Sequence, residues 1–244
     1  MLEVRNLCKS FGGLKAVSEV DLTVGQGEFV GVIGPNGAGK TTLMNLVTGY
    51  MRPSSGDVLF EGRSIVGLPP YRISHRGVGR TFQVVRPFAE MSVEDNVMTG
   101  ALFSGARTNS LKVARQAAQL PMELTGLSAK RHLPAGALTL GEKKKLELAR
   151  ALATSPRLLL LDEVMGGVTR GEVGDLMEVL RRIHAAGVTI VMIEHLVEVI
   201  MELSQRVVVL NFGQKLFEGA PAEVVEHPAV IESYLGKPLE ADAA

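Results

Sequence analysis

The sequence has little cysteine, no tryptophan and no excess of either charge. Cys8 is the only cysteine among 244 residues, so the chain cannot form an internal disulfide, which suits a reducing compartment. Lysine plus arginine number 26, as do aspartate plus glutamate. The net charge therefore gives no reason to expect nucleic acid as a partner.

Long apolar runs are also missing, although 46% of the residues are hydrophobic, enough for a sizeable core. Even residues 188–200 are interrupted by Glu194, His195 and Glu198, so the run is too short to span a bilayer. The N-terminus lacks a basic segment followed by an apolar one, which argues against a signal peptide. The sequence predicts a protein that is cytosolic or that sits on a membrane through a partner.

A glycine-rich stretch directly after the apolar run 29–33 carries the strongest functional signal. It has a glycine, four residues and then Gly-Lys-Thr, the phosphate-loop pattern. Glycines let the backbone fold around phosphate oxygens, and a helix that starts near Lys40 presents its positive end to them. A glycine turn without a ligand is the alternative, which the complete pattern disfavours. The predicted triphosphate-binding residues are Gly34, Pro35, Asn36, Gly37, Ala38, Gly39, Lys40, Thr41 and Thr42.

The pattern along the chain predicts one α/β domain over residues 1–236, with a frayed tail at 237–244. Strands and helices alternate in a core of 1–83 and 157–236, whereas about 84–156 has helical periodicity and predicts a helical insert. Linkers are expected at 100–110 and 133–136. The lysines at 143–145 are expected to form a solvated helix face.

Polar residues follow two predicted buried strands, and strand ends in such sheets deliver functional groups to one edge. Asp162 follows four leucines, where a carboxylate is costly unless it faces a cation such as Mg²⁺. Glu163 is placed to deprotonate the water that attacks a γ-phosphate, and His195 to hydrogen-bond that phosphate. The alternative for each is an ordinary polar residue that caps a strand.

Phe11 precedes a glycine turn on the approach to the phosphate loop. An aromatic ring there is able to stack on adenine, by analogy with base stacking elsewhere. A core phenylalanine at the end of a strand is the other interpretation, and position alone leaves both open.

Five motifs follow one another along the chain, at 34–42, Gln83, 138–142, 158–163 and His195. Their order and spacing resemble those of ATP-binding cassette (ABC) ATPases over nearly the whole chain. The resemblance implies a P-loop NTPase core with a mainly parallel sheet, an N-terminal antiparallel β subdomain and a helical insert. It implies that Phe11 stacks on adenine, that Gln83 contacts Mg²⁺ and the attacking water, and that Thr41 and Asp162 ligate Mg²⁺. It further implies Glu163 as catalytic carboxylate and His195 as γ-phosphate switch.

The same resemblance implies how the chain works with partners. In this family two cassettes, identical or different, sandwich two ATP molecules, each held by one phosphate loop and the other chain's signature segment. Thr139, Leu140, Gly141 and Glu142 correspond to that signature. Membrane permeases and, indirectly, a substrate-binding protein are the further expected partners, which places the chain on the cytoplasmic face of the membrane; nucleic acid is not expected.

Closer matches indicate a subfamily. Segments 79–83, 91–97, 193–195 and 230–236 are similar to the ATPases of branched-chain amino acid importers. Importers of urea or amides share much of this pattern and remain an alternative. A soluble ABC ATPase is disfavoured, because only about 54 residues separate Gln83 from Leu138, too few for a long coiled coil. A small-molecule kinase would explain neither the signature nor His195.

The chain also departs from the usual family pattern. The signature commonly reads Leu-Ser-Gly-Gly-Gln, whereas here Thr139, Leu140 and Glu142 replace its serine, first glycine and glutamine. Val164 replaces the usual proline after Glu163, and Thr169 replaces an Asp or Asn expected to bridge the two chains. Because a signature serves the partner's nucleotide, any defect is expected in the opposite ATP site.

Overall fold

The computed structural model describes residues 1–105 and 110–235, without the side chain of Leu235. The predicted tail at 237–244 therefore lies outside the described residues. The chain forms two compact units, the first made of residues 1–69 and those from 191 onward, the second of residues 70–190. The predicted helical insert lies within the second unit.

Strands and helices alternate along much of the chain. The strands are β1 (Leu2–Phe11), β2 (Leu14–Val24), β3 (Phe29–Ile33), β4 (Ser55–Phe60), β5 (Arg63–Ser64), β6 (Val78–Arg80), β7 (Leu158–Asp162), β8 (Thr189–Ile193), β9 (Arg206–Asn211) and β10 (Gln214–Gly219). The helices are α1 (Lys40–Val47), α2 (Pro70–His75), α3 (Val93–Leu102), α4 (Leu111–Leu124), α5 (Leu140–Leu152), α6 (Arg170–Ala185), α7 (Val197–Leu203), α8 (Pro221–Glu226) and α9 (Pro228–Val230). Short 3₁₀ turns occupy Ser128–Lys130 and Ala135–Ala137, and a π-helical turn occupies Ile231–Leu235.

The first unit contains an antiparallel sheet in the order β2-β1-β4-β5. Leu2 pairs with Val24 on one side and with Phe60 on the other. Buried and exposed residues alternate along the second half of β2, as expected for a strand with one solvated face.

The strand that precedes the phosphate loop is buried throughout. All five residues of β3 are buried, and β3 pairs in parallel with β9, so that Val32 lies opposite Val208. Strand β10 continues this arrangement as the antiparallel neighbour of β9. Continuous apolar runs of this kind are typical of parallel strands covered on both faces.

The second unit contains the parallel pair β6 and β7, in which Gly79 lies opposite Leu159. All five residues of β7 are buried, including Asp162 at its end. The four leucines anchor the strand by burial, and this fixes where the carboxylate emerges.

Helices α3, α4 and α5 pack around an apolar core in the second unit. Ser92 caps α3 by accepting a hydrogen bond from the Asp95 backbone N–H at 3.0 Å. The buried residues of this core come from all three helices and the turns between them: Val93, Val97, Met98, Ala101, Ala114, Ala118, Met122, Leu127, Ala135, Leu138, Leu146, Ala149 and Ala153.

The linker predicted to begin at Gly100 in fact begins later, because α3 continues to Leu102. Gly100 is helical, and a Cβ there would lie 2.3 Å from the Arg150 carbonyl oxygen and 3.0 Å from the Ala153 Cβ. The glycine therefore serves close helix packing against α5. Residues 106–109 of the predicted linker lie outside the described residues.

Among the described residues, no helix has the length and apolar character needed to cross a membrane.

Replacement of Gly100 by alanine should destabilise the second unit. The added methyl group would force α3 away from α5, at a cost of about 1–3 kcal/mol. Gly174→Ala is the matched control, since Gly174 is exposed in α6 and its Cβ would meet no atom within 4 Å. That control should stabilise by about 0.5–1 kcal/mol. Urea unfolding of both variants measures the difference, and equal effects would contradict the packing argument.

Candidate functional site

Two glycines of the phosphate-loop segment occupy positions that larger residues do not fit. Gly34 has a φ of +146°, and a Cβ there would lie 2.1 Å from the Leu210 carbonyl oxygen. Gly39 has a φ of +98°, and its Cβ would lie 2.4 Å from the Ala16 carbonyl oxygen. Both the backbone angles and the space therefore require glycine, and together they fix the tight path from β3 into α1.

Lys40, the first residue of α1, is only 6% exposed. Its ammonium group donates to the carbonyl oxygens of Gly34 at 2.5 Å and Pro35 at 3.0 Å, so it lies folded against its own loop. A cation at the N-terminus of a helix, inside a glycine-rich loop, is an arrangement that suits a bound phosphate. Thr41 follows with an exposed side chain.

His195 and Phe11 lie in the same unit as the phosphate loop. His195 follows β8, is exposed, and its backbone N–H donates to the carboxylate of the buried Glu194 at 3.3 Å. Phe11 is 47% exposed at the end of β1, with the Lys9 ammonium 5.2 Å from its ring centre. This exposure rules out the alternative of a core phenylalanine.

Asp162 forms a buried ion pair that the sequence did not suggest. Arg80 Nη2 lies 2.9 Å from Asp162 Oδ2, and the two side chains are 8% and 5% exposed. A buried carboxylate is costly without a cationic partner, and Arg80 supplies that partner at the end of β7. The only sequence signal was the position of Arg80 within the subfamily segment 79–83.

Gln83 and Glu163 are brought together in the second unit, although 80 positions separate them in sequence. Gln83 Nε2 donates a hydrogen bond to Glu163 Oε2 at 2.6 Å. Glu163 also has a φ of 51°, in the left-handed region that non-glycine residues seldom adopt. Backbone strain of this kind concentrates at functional sites, where the surrounding contacts hold it in place.

The signature segment forms the start of α5, with Thr139 as its N-cap. The Thr139 hydroxyl accepts from the Glu142 N–H at 3.3 Å, and Glu142 Oε2 accepts from the Thr139 N–H at 3.1 Å, which completes a capping box. The ammonium of Lys130 pairs with the other Glu142 oxygen. This hydrogen bond from Lys130 is the main reason that the pKa of Glu142 is lowered. The negative charge of Glu142 at the start of α5 is therefore balanced by Lys130.

A second carboxylate, missed by the sequence reasoning, also reaches the start of α5. Glu172 Oε1 accepts from the Gly141 N–H and the Thr139 hydroxyl, each at 3.3 Å. Its other oxygen accepts from the Thr169 N–H at 2.9 Å, the bond that chiefly lowers the pKa of Glu172. A Cβ at Gly141 would lie 2.6 Å from Glu172 Oε1, so a glycine is needed for this contact.

The expectation that the lysines at 143–145 form a solvated helix face is wrong for Lys144. Its side chain is buried, with the residue 3% exposed, because its ammonium donates to the carbonyl oxygens of Gln83 at 3.1 Å and Glu163 at 3.3 Å. Glu147, one turn later, accepts the Phe82 N–H at 2.7 Å, and burial raises the pKa of its carboxyl. The side chains of Lys144 and Glu147 thus connect helix α5 to Phe82 and Gln83.

Comparison with known proteins identifies the family. Residues 17–166 match the model of the ABC transporter family, and residues 214–239 match the model described as branched-chain amino acid ATP-binding cassette transporter. The chain is 37% identical to the high-affinity branched-chain amino acid transport ATP-binding protein BraF of Pseudomonas aeruginosa, over 97% of this chain and 98% of that protein. It is 38% identical to the corresponding protein LivG of Escherichia coli K12, with the same coverage.

The fold agrees with the sequence comparison. The structure of the ADP conformation of MJ1267, an ATP-binding cassette of an ABC transporter, superposes with a TM-score of 0.87 at 31% identity, covering 97% of this chain and 99% of that one. The predicted α/β cassette fold, with its antiparallel β subdomain and helices, is thereby confirmed. The predicted family resemblance is confirmed as well. The chain therefore belongs to the ABC transporter family, as one of its ATP-hydrolysing cassettes.

Proposed function

We propose that this chain is the ATPase subunit of an importer of branched-chain amino acids. The observation that carries the proposal is its identity of 37–38% over 97% of the chain to BraF and LivG, both named as branched-chain amino acid transport proteins. The match of residues 214–239 to the corresponding family model supports the same cargo class.

The proposed residue roles follow the motifs. Residues 34–42 bind the triphosphate of ATP, and Phe11 stacks on the adenine. Thr41, Gln83 and Asp162 would supply oxygen ligands of the kind that Mg²⁺ prefers, and a bound Mg²⁺ would neutralise charge on the phosphates. The buried position of Asp162 at the end of β7 supports its part in this role, because it places a carboxylate at the strand end. His195 hydrogen-bonds the γ-phosphate.

Glu163 is the proposed carboxylate that orients and deprotonates the attacking water. Its hydrogen bond with Gln83 at 2.6 Å supports this role, because it fixes the carboxylate beside a second residue proposed to contact the water. We propose that these residues belong to one domain over residues 1–236. Its core comprises 1–83 and 157–236, and a helical insert occupies about 84–156.

We further propose that the chain works as half of a pair on the cytoplasmic face of the membrane. Thr139, Leu140, Gly141 and Glu142 would meet the ATP bound by a second cassette, identical or different, while permease subunits receive the motion and a binding protein delivers cargo. ATP then shifts the population toward the closed pair, since only that state makes both sets of phosphate contacts.

Deletion of the gene should abolish high-affinity uptake of labelled leucine, isoleucine and valine, because the remaining permeases would lack their energy source. Expression of the unaltered chain should restore uptake, and a Lys40→Ala chain should not. Loss of urea or amide uptake with normal leucine uptake would assign the cargo to the alternative class. Unchanged uptake of every solute would contradict a role in import.

Glu163→Gln should lower ATP turnover by about a hundredfold or more, because the amide cannot accept the proton of the attacking water. ATP affinity should stay within about twofold, since glutamine is isosteric and still accepts the hydrogen bond from Gln83. Glu178→Gln, on the exposed face of α6, is the matched control and should leave turnover unchanged. Near-normal turnover of Glu163→Gln, measured by phosphate release, would remove Glu163 from this role.

Glu172→Gln should favour ATP-dependent pairing of cassettes. The Glu172 carboxylate holds the Gly141 N–H, a group proposed to meet the partner's phosphate, and its negative charge opposes that approach. We expect about a two- to fivefold tighter ATP-dependent dimer in sedimentation experiments on the Glu163→Gln background. Glu178→Gln again serves as control, and weaker pairing of Glu172→Gln would show that this carboxylate assists the interface.

A further inference from the structure

Lys144 stands apart from the other lysines of its helix. Its residue is 3% exposed, whereas Lys145 reaches outward to Asp175, whose side chain is 68% exposed. A buried ammonium is costly unless oxygen atoms replace its water shell. The carbonyl oxygens of Gln83 and Glu163 do so, at 3.1 and 3.3 Å.

The two carbonyls belong to the two residues whose side chains are joined by the 2.6 Å hydrogen bond from Gln83 to Glu163. The ammonium therefore fixes the backbone at both ends of that contact. At Glu163 it acts on a residue with a φ of 51°, whose carbonyl also accepts from the Gly166 N–H at 3.3 Å. A left-handed backbone at a glutamate needs such contacts to persist.

Helix α5 holds the neighbouring peptide as well. Glu147, one turn after Lys144, accepts the Phe82 N–H at 2.7 Å. Glu147 therefore accepts a hydrogen bond from the Phe82 N–H, while Lys144 donates one to the Gln83 carbonyl oxygen. These contacts join the signature helix directly to Gln83 and Glu163 within the second unit.

We propose that Lys144 is a positioning residue for ATP hydrolysis, which sets the orientation of the Glu163 carboxylate by holding the Glu163 and Gln83 carbonyls from the signature helix. It touches neither ATP nor the attacking water. The inference rests on the proposed roles of Glu163 and Gln83, and it adds that movement of α5 is transmitted to the carboxylate through one ammonium group.

Lys144→Met in the full-length chain tests the proposal, because methionine keeps the apolar length but donates no hydrogen bonds. ATP turnover should fall by about ten- to a hundredfold, as expected when a catalytic group is misplaced by about 1 Å. ATP affinity should remain within about twofold, since the phosphate loop is unaltered. Lys144→Arg again provides N–H donors for both carbonyl oxygens and should regain at least about a third of the turnover.

Lys145→Met is the matched control, since it removes a neighbouring lysine whose ammonium pairs with the exposed Asp175, and its turnover should be unchanged. Lys144→Gln keeps an amide donor and serves if methionine prevents folding; the same separation of turnover from affinity is expected. Turnover of a folded Lys144→Met chain within about threefold of normal would overturn the proposal, as would a parallel loss of affinity or an arginine variant as inactive as methionine.

The Glu163→Gln chain, measured in the same experiment, separates the two levels of inference. If Glu163→Gln is inactive and Lys144→Met is active, only the role of Lys144 is lost. If Glu163→Gln keeps normal turnover, the proposed catalytic carboxylate itself is wrong. In the Glu163→Gln background, Lys144→Met should cause little further loss of turnover, because the group that it orients is already absent.

Discussion

A lysine ammonium buried among backbone carbonyls is the interaction on which the arrangement of the second unit's motifs depends. Lys144 is separated from Gln83 by 61 positions and from Glu163 by 19, yet it bonds to the backbone of both. Because the buried charge would be destabilising without these oxygens, the fold that satisfies it also fixes the segments of Gln83 and Glu163 against α5. The hydrogen bonds of Lys144 therefore both satisfy its buried charge and set the positions of these two segments.

Lys40 offers an instructive contrast. It too is a buried lysine that donates to two carbonyl oxygens, but both belong to its own loop, at Gly34 and Pro35. An ammonium held by neutral carbonyls would bond more strongly to a phosphate, because the phosphate oxygens carry a full negative charge and the carbonyl oxygens only a partial one. Lys144 instead ties two separate segments. The same chemical group therefore bonds within one loop at Lys40 and joins two distant segments at Lys144.

The sequence could predict the parts of this protein that depend on local pattern. The phosphate loop shows in its glycines, and β7 in its four leucines followed by Asp162, because local spacing determines both. The exposure of Phe11 and the pairing of Arg80 with Asp162 could not be predicted in this way. The latter joins residues 82 positions apart, and no local period encodes such a pairing. The sequence predicts a linker at Gly100 for the same reason, since only the neighbouring helix explains why a glycine is needed there.

The lysines at 143–145 show most clearly what the sequence alone does not predict. Three identical side chains in a row carry no information about which one faces inward, because the helical period only places them at different angles. What buries the middle one is the position of the carbonyls of Gln83 and Glu163, which tertiary structure alone supplies.

At the start of α5, where the chain departs from the usual family signature, the backbone N–H groups are engaged by carboxylates. Two carboxylates approach this helix N-terminus, but they differ in what holds them. Glu142 is engaged by its own capping box and by Lys130, so it is kept on the Thr139 N–H. Glu172 is held by Thr169 and reaches the Gly141 N–H through its other oxygen. A phosphate that approached the Gly141 N–H would therefore have to displace Glu172, while Glu142 could remain in place. Thr169 is therefore connected to the start of α5 through Glu172, a contact within the chain that the sequence did not predict.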